Sequence, residues 1–368
     1  MSTKRLLRLS KYTTIEPWTP PASMEADDAG LFLTLLDTAN AASRASSGTD
    51  LFDRAGPEWL VEMNDTELYE QVQLVALADG EPVGFGELSY SRTTTESAHV
   101  DVTVHPDMHD DALEDAIFAE LERIAREHGR TRLNGFAFSP ASNEGARLVP
   151  PTGFGSVGET EWGTRLHVRH GFTLGQVTRV SLYEFAAADA EAEDRMLDAA
   201  WQKAGEDYRV VWWTGHSPDE FAESYARANE RMDIDAPAGG NTVEADTFTV
   251  EKLRHRDEQN IKAGRIMAVT LVVHEPSGEV AAFNELVIEQ DRTRHADNWN
   301  TLVMPEHRGH RLGAIVKCEG LRRFHELVPE SPSVVTFNAE ENRFMLDVNE
   351  QVGFRPVAYA GEWQKELS

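Results

Sequence analysis

One cysteine, Cys318, occurs in 368 residues. An internal disulfide is therefore impossible and a cysteine-based metal cluster is excluded. Lysine is nearly as scarce: seven of the 35 basic residues are Lys, so almost all positive charge is Arg. Basic residues are outnumbered by 63 Asp and Glu, for a formal net charge of −28. Such a surface repels nucleic acid and anionic membranes. No apolar run reaches the ~20 residues of a membrane span. Lys4, Arg5 and Arg8 near the N-terminus are not followed by the apolar core of a signal peptide. These absences predict a cytoplasmic protein with no membrane or nucleic-acid partner. The P-loop spacing G-x-x-x-x-G-K-S/T is missing. "GFGSVG" (153–158) has the G-x-G-x-x-G spacing, but it follows "VPPT" instead of a strand and reads as a loop. His307 with His310, and His167 with His170, lack both the H-E-x-x-H spacing and a third ligand, so no metal is expected.

What is present suits two domains. Residues 1–28 read as a tail with a Pro-rich entry, "EPWTPPAS". In 29–186, "LYEQVQLVALADGEPVGFGELSYSR" has the alternation of a β-hairpin around "ADGEP". The strand "AHVDVTVHP" runs into a helix with Leu113, Ile117, Leu121 and Ile124 on one face. "HGFTLGQVTRVSLYEF" reads as a closing strand pair. The Ala- and acid-rich "AAADAEAED" (186–194) is a linker or linking helix. In 187–368 the order recurs: a strand "YRVVWWTG", a helix from Ser217 with Pro218 and Glu220 as start signals, a hairpin around "EPSGE", the strand "NWNTLVMP", a helix, and "SVVTFNAEENRFMLDVNEQVGF". The expectation is an α/β (α+β) chain of two tandem domains, each a mixed, mostly antiparallel sheet flanked by helices.

Chemistry concentrates in "TLVMPEHRGHRLGAIVK" (301–317). A strand, a turn and a helix start bring together backbone N–H groups that have no partner within the helix, and the helix dipole adds partial positive charge. Gly309 and Gly313 let a phosphate approach the backbone, and Arg308, His310 and Arg311 add cationic character. Those properties fit a pyrophosphate.

Arg308-Gly309-His310-Arg311-Leu312-Gly313 resembles the Q/R-x-x-G-x-G/A acyl-CoA motif of GNAT acetyltransferases, with Arg311 in place of the central glycine. "FNAEENRFM", "VNEQVGF" and "RMDIDAPAGG" are similar to segments of actinobacterial tandem-GNAT proteins, the group that includes mycothiol synthase. The likeness spans roughly 200–368, and the first half shares only element order. It implies tandem GNAT-like domains and acetyl-CoA as co-substrate. The backbone of Leu302 and Val303 would pair with the pantetheine arm, and the Val303 N–H would polarise the thioester carbonyl. The amides from Gly309 through Leu312 and Gly313 to Ala314 would hold the pyrophosphate. Asn338 and Asn342 would contact the pantetheine or guide the departing thiol. Where many relatives have a Tyr, this chain has Asn349, a hydrogen-bond donor that is no general acid. Glu285 reads either as the base, directly or through water, or as a half-exposed strand residue. Asp233 and Asp235 read either as turn residues and caps or as carboxylates that receive a cationic amine.

Aligning Pro106 with Pro305 puts Asp110 and Glu114 over the two glycines and leaves His109 as the only basic residue of that segment. The first domain is therefore expected to bind no CoA and to be structural or a wall of the cleft. The resemblance implies N-acetyl transfer to a primary amine of a small molecule by a monomer or homodimer, with the active site in the second domain. A non-catalytic acyl-CoA sensor and a mycothiol-synthase-type enzyme are the alternatives.

Overall fold

A computed structural model describes residues 7–8, 13–142 and 144–367. It has two compact units: Met1–Thr178 with Ala238–Glu244 and Ala358–Ser368, and Arg179–Pro237 with Ala245–Val357. Among the described residues no helix is long and apolar enough to cross a membrane.

Unit 1 begins with β1 (Leu7–Arg8) and β2 (Thr13–Pro17), followed by α1 (Ala29–Ser47) and α2 (Gly56–Asn64). β2 pairs with β3 (Tyr69–Ala78), so this part of the segment read as a tail belongs to the sheet. Residues 1–6 and 9–12 of that segment lie outside the described residues. β3 and β4 (Glu81–Ser91) form the expected hairpin. Asp79 and Gly80 at its turn have φ of 52° and 88°, the two positive values of a type I′ turn, which matches strand twist. β5 (Ser97–Val104), α3 (Asp111–Glu127), β6 (Arg132–Pro140), the short pair β7 (Arg147–Leu148) and β8 (Val157–Gly158), and α4 (Trp162–Arg169) follow. Leu113, Ile117 and Leu121 of α3 are buried with Leu88, Val100 and Leu133. "HGFTLGQVTRVSLYEF" is one strand, β9 (Thr173–Glu184), and the chain leaves unit 1 at Thr178 within it.

In unit 2, α5 (Ala190–Ala204) realises the linking helix, with Asp189 accepting a capping bond from the Ala192 N–H. Next come β10 (Tyr208–Thr214), α6 (Asp219–Asp235), α7 (Val250–Lys262), β11 (Ile266–His274) and β12 (Glu279–Ile288). β13 (Ala296–Val303), α8 (Leu312–Leu327), β14 (Ser333–Ala339) and α9 (Arg343–Val352) complete it. The sheet runs β10-β11-β12-β13-β14, antiparallel except where β13 meets β14. β11 and β12 are nearly continuous apolar runs because helices cover both faces. Tyr225 and Leu253 pack on Val269 and Phe283 on one side, and Leu312 and Ile315 pack on Val272 and Ala282 on the other. Ser217 does not cap α6. Its N–H donates to Asp257 Oδ2 at 2.8 Å, and the helix starts after Pro218 without a side-chain cap. Asp257 lies on α7, a mostly charged helix with few apolar positions, which the sequence pattern does not reveal.

The last strand, β15 (Arg355–Glu366), pairs with β6 from Ala358↔Pro140 to Glu366↔Arg132. A single cut at 186/187, which assigns all of 187–368 to one domain, therefore does not reproduce the two units. Strand alternation signals that "AYAGEWQKE" is extended, but it does not encode which strand it pairs with. Trp363 anchors this strand in the core of unit 1 at 1% exposure, together with Leu133 and Val177. Trp363→Ala should destabilise unit 1 by about 3–5 kcal/mol, read as a lower urea midpoint.

Candidate functional site

In unit 2, β13 and β14 are paired only from Ala296↔Val334 to Asn298↔Thr336, although β13 continues to Val303. They part because β13 carries an extra residue: Trp299 and Asn300 together face Glu285, between the pairs Leu286↔Asn298 and Asn284↔Thr301. This is a β-bulge, which bends the strand and ends regular pairing. Beyond it the Met304 N–H donates to Ala281 O at 2.9 Å. Antiparallel alternation then turns the backbone groups of Leu302 toward Phe283, and those of Thr301 and Val303 away from β12 into the gap. Of the two residues expected to offer backbone to a pantetheine arm, Val303 faces the gap and Leu302 does not.

The gap leads to the start of α8. Arg308 is tied back: its Nε donates to Val303 O at 3.3 Å and its Nη2 to Asp235 Oδ2 at 2.5 Å. Gly309 has φ of 86°, with no atom within 4 Å of where a Cβ would stand. Arg311 adopts the left-handed conformation, φ 58° and ψ 24°, and α8 begins after it with no side-chain cap. Among the described residues, none of the amides from Gly309 to Gly313 donates a hydrogen bond. The first helical donations come from Ala314 and Ile315 to Arg311 O. Open backbone and unpartnered amides at a helix start fit a pyrophosphate, and the exposed Arg311 lies on the same segment. His310 lies beside Tyr208, and its buried Nδ1 has no partner among the described residues.

The other predicted residues divide. Asn349 is buried at 1% exposure and donates from Nδ2 to Asn338 Oδ1 at 2.6 Å. Asn338 stands on the part of β14 beyond its pairing with β13. Asn342 caps α9 by accepting from the Met345 N–H at 3.3 Å, so its carbonyl serves the fold. Asp235 is bonded to both Arg231 and Arg308, which already neutralise it. The Asp233 side chain lies outside what is described.

Glu285 is neither half-exposed nor open to water: it has 0% exposure. Its Oε1 accepts from the Tyr225 hydroxyl and lies 3.1 Å from Arg256 Nη2, and its Oε2 accepts from Asn300 Nδ2 at 2.9 Å. Arg256 also donates to Asn229 Oδ1 at 3.0 Å. Burial, and then the Glu285 charge, push the Tyr225 phenol well above its ordinary range. This network holds the bulge from the α6–α7 face and leaves the carboxylate no exposed edge for an amine. Nothing in a helical pattern marks Tyr225 and Arg256 as the polar residues turned inward, so the sequence does not single them out.

On the α8 face lies Lys317, 1% exposed, with Nζ donating to Asn298 Oδ1 at 2.8 Å. Burial lowers its ammonium to about 7. The acids that act on the adjacent Cys318 are engaged elsewhere: Glu319 with Arg322 and Arg323, and Glu193 with the Tyr183 hydroxyl. Burial raises the neighbouring Cys318 thiol to about 12, which makes it inert at neutral pH.

The matching helix start in unit 1 is self-satisfied. Asp110 accepts from the Ala112 N–H at 2.9 Å, and Arg169 bonds Asp111, Glu114 and Asp115. His109, Asp111 and Glu114 bring one ligand atom each within 4.8 Å of one another, but Arg169 already holds both carboxylates.

Two outcomes follow from local energetics. Arg311→Gly removes a left-handed strain of about 1–2 kcal/mol at some entropic cost. Stability should hold or rise by up to about 1 kcal/mol, whereas Arg311→Ala, which keeps the strain, should gain nothing. For Lys317, the unfolded amine titrates near its ordinary ~10.4 and the folded one near 7. Between those values only the unfolded state holds the proton, so stability rises with pH across that window. Denaturant titrations from pH 7 to 9.5 should show this slope, and Lys317→Met should flatten it.

No family model and no curated protein matches the chain. Solved structures do. A tandem GNAT protein from the clavulanic acid biosynthesis pathway is 20% identical over 96% of this chain and 98% of its own, with a TM-score of 0.75. A GCN5-related N-acetyltransferase from Sphaerobacter thermophilus is 15% identical over 98% of this chain and 97% of its own, with a TM-score of 0.61. The GCN5-related glucosamine N-acetyltransferase region of a fungal multi-domain GH3 β-N-acetylglucosaminidase is 13% identical, covering 97% of this chain and 38% of that one, with a TM-score of 0.63. At these identities the likeness establishes architecture, and this chain has the tandem GNAT fold, two GNAT-like domains in series.

Proposed function

We propose that the protein is an N-acetyltransferase that moves the acetyl group of acetyl-CoA to a primary amine of a small molecule, with its active site in unit 2. One observation carries the reading: an uncapped α8 start with unpartnered amides from Gly309 to Gly313 opens onto the gap where β13 leaves β14. Acetyl-CoA supplies the activated acetyl group. Arg308, Arg311 and the amides of the helix start bind its pyrophosphate. The Val303 N–H, turned into the gap, donates to the thioester oxygen, where negative charge grows as the amine attacks. The new C–N bond replaces the C–S bond, the amine loses a proton, and the thiolate gains one. Asn349 holds Asn338 toward the gap, and Glu285 holds Asn300 and the bulge instead of taking the amine proton itself. Unit 1, whose equivalent helix is capped by Asp110 and lined by acids, takes no CoA.

A second reading, an acyl-CoA sensor without turnover, is favoured by Asn349 standing where a phenol would serve as the acid. CoA release during an amine panel separates the two: binding without release supports the sensor. The shared premise has its own test by calorimetry. Acetyl-CoA should bind the wild type, Gly309→Asp should lose at least about tenfold in affinity, and Asp110→Ala should match the wild type. Absence of binding to the intact wild-type protein would falsify both readings.

A further inference from the structure

Lys317 is a poor choice for stability. Its amine is buried with one hydrogen-bond acceptor among the described residues and no bonded carboxylate, beside the Phe354 ring at 5.4 Å. An unbranched apolar side chain would fill this space without desolvating an amine. What the amine does is hold Asn298. The other end of that amide spans the bulge: Asn298 Nδ2 donates to Glu285 O at 3.2 Å, Asn300 O at 3.5 Å and Thr301 Oγ1 at 3.3 Å. Thr301 Oγ1 in turn donates to Asn284 Oδ1 at 2.6 Å, which closes the network on β12. Gly320, one turn along α8, brings the helix close over this network: a Cβ there would stand 3.1 Å from both Asn284 Nδ2 and Thr270 Oγ1.

We propose that Lys317 is a positioning residue for the acyl end of the CoA site. Acting through Asn298, it fixes the bulge, and the bulge sets the direction in which the Val303 N–H enters the gap. The inference rests on the acetyl-CoA reading. It separates two parts of one site: the pyrophosphate cradle at the start of α8, which does not depend on Lys317, and the pantetheine and thioester slot, which does.

Two probes distinguish these parts. 3′-Phospho-ADP carries the pyrophosphate without the pantetheine arm, and acetyl-CoA carries both. Calorimetry at pH 7.5 on the full chain should show Lys317→Met binding 3′-phospho-ADP within about twofold of the wild type and acetyl-CoA at least about tenfold more weakly. Its melting midpoint should not fall. A residue with only a structural role would shift the midpoint and leave the ratio of the two affinities unchanged. Asn298→Ala, which cuts the same link from its other end, should give the same selective loss, and it carries the test if Lys317→Met does not fold. Combining the two substitutions should add little, since both break one connection. Equal weakening of both ligands, or an unchanged ratio in a folded variant, overturns the proposal. Failure of both ligands to bind the wild type overturns the acetyl-CoA reading instead.

Discussion

A β-strand that gains one residue cannot keep in step with both neighbours, and unit 2 is organised around that mismatch. β13 stays registered with β12 on either side of Trp299–Asn300, but it abandons β14 after Asn298. Backbone N–H and C=O groups inside a protein must find partners; where the strands part, the Val303 carbonyl accepts from Arg308, and its N–H is turned toward the gap, where an extended ligand can use it. The helix that follows begins where the gap opens, and its own first amides are equally unsatisfied. Both halves of the candidate site are thus interrupted secondary structure, one in a sheet and one at a helix end.

Interruptions of this kind collapse or pair elsewhere unless they are held. Here they are held by polar networks on both faces of the sheet, where apolar packing would otherwise be the rule. Glu285, Tyr225, Arg256 and Asn300 lock the α6–α7 face, and Lys317, Asn298, Thr301 and Asn284 lock the α8 face. A buried carboxylate next to a guanidinium need not add stability over an apolar pair, and a buried amine without a carboxylate subtracts from it. Spending stability on both sides of a single bulge is what a strand geometry needed for ligand contact would require.

The parts legible from sequence were those set by local periodicity or local conformation. The type I′ turn at Asp79-Gly80, the apolar face of α3 and the Gly-containing start of α8 each declare themselves within a few residues. The bulge did not, because "NWNTLV" reads as a continuous strand and its extra residue exists only relative to β12. For the same reason Glu285 reads either as the base or as half-exposed: its alternation is that of an ordinary strand, and the partners that enclose it come from α6 and α7, Tyr225 and Arg256. Strand pairing was equally opaque. Nothing in "AYAGEWQKE" tells β15 to join β6, since that choice is a long-range one made by Trp363 and its core partners.

The two strand-to-helix junctions show how little chemistry separates a ligand site from a structural one. Both pass through a short turn after a proline into a helix laid on the sheet. In unit 1 the donors of the turn are taken locally: Asp110 caps the first turn, and Arg169 gathers the acids that follow. In unit 2 Arg311 occupies the cap position in a left-handed conformation, and its guanidinium, which has only donors, cannot accept from the helix as an Asp or Ser would. Glycine would reach that conformation without strain, but it would bring no charge. Arginine accepts the strain, leaves the amides open and adds a cation beside them. In a chain with a formal net charge of −28, that local positive charge offsets the long-range repulsion a polyanionic ligand would meet on approach.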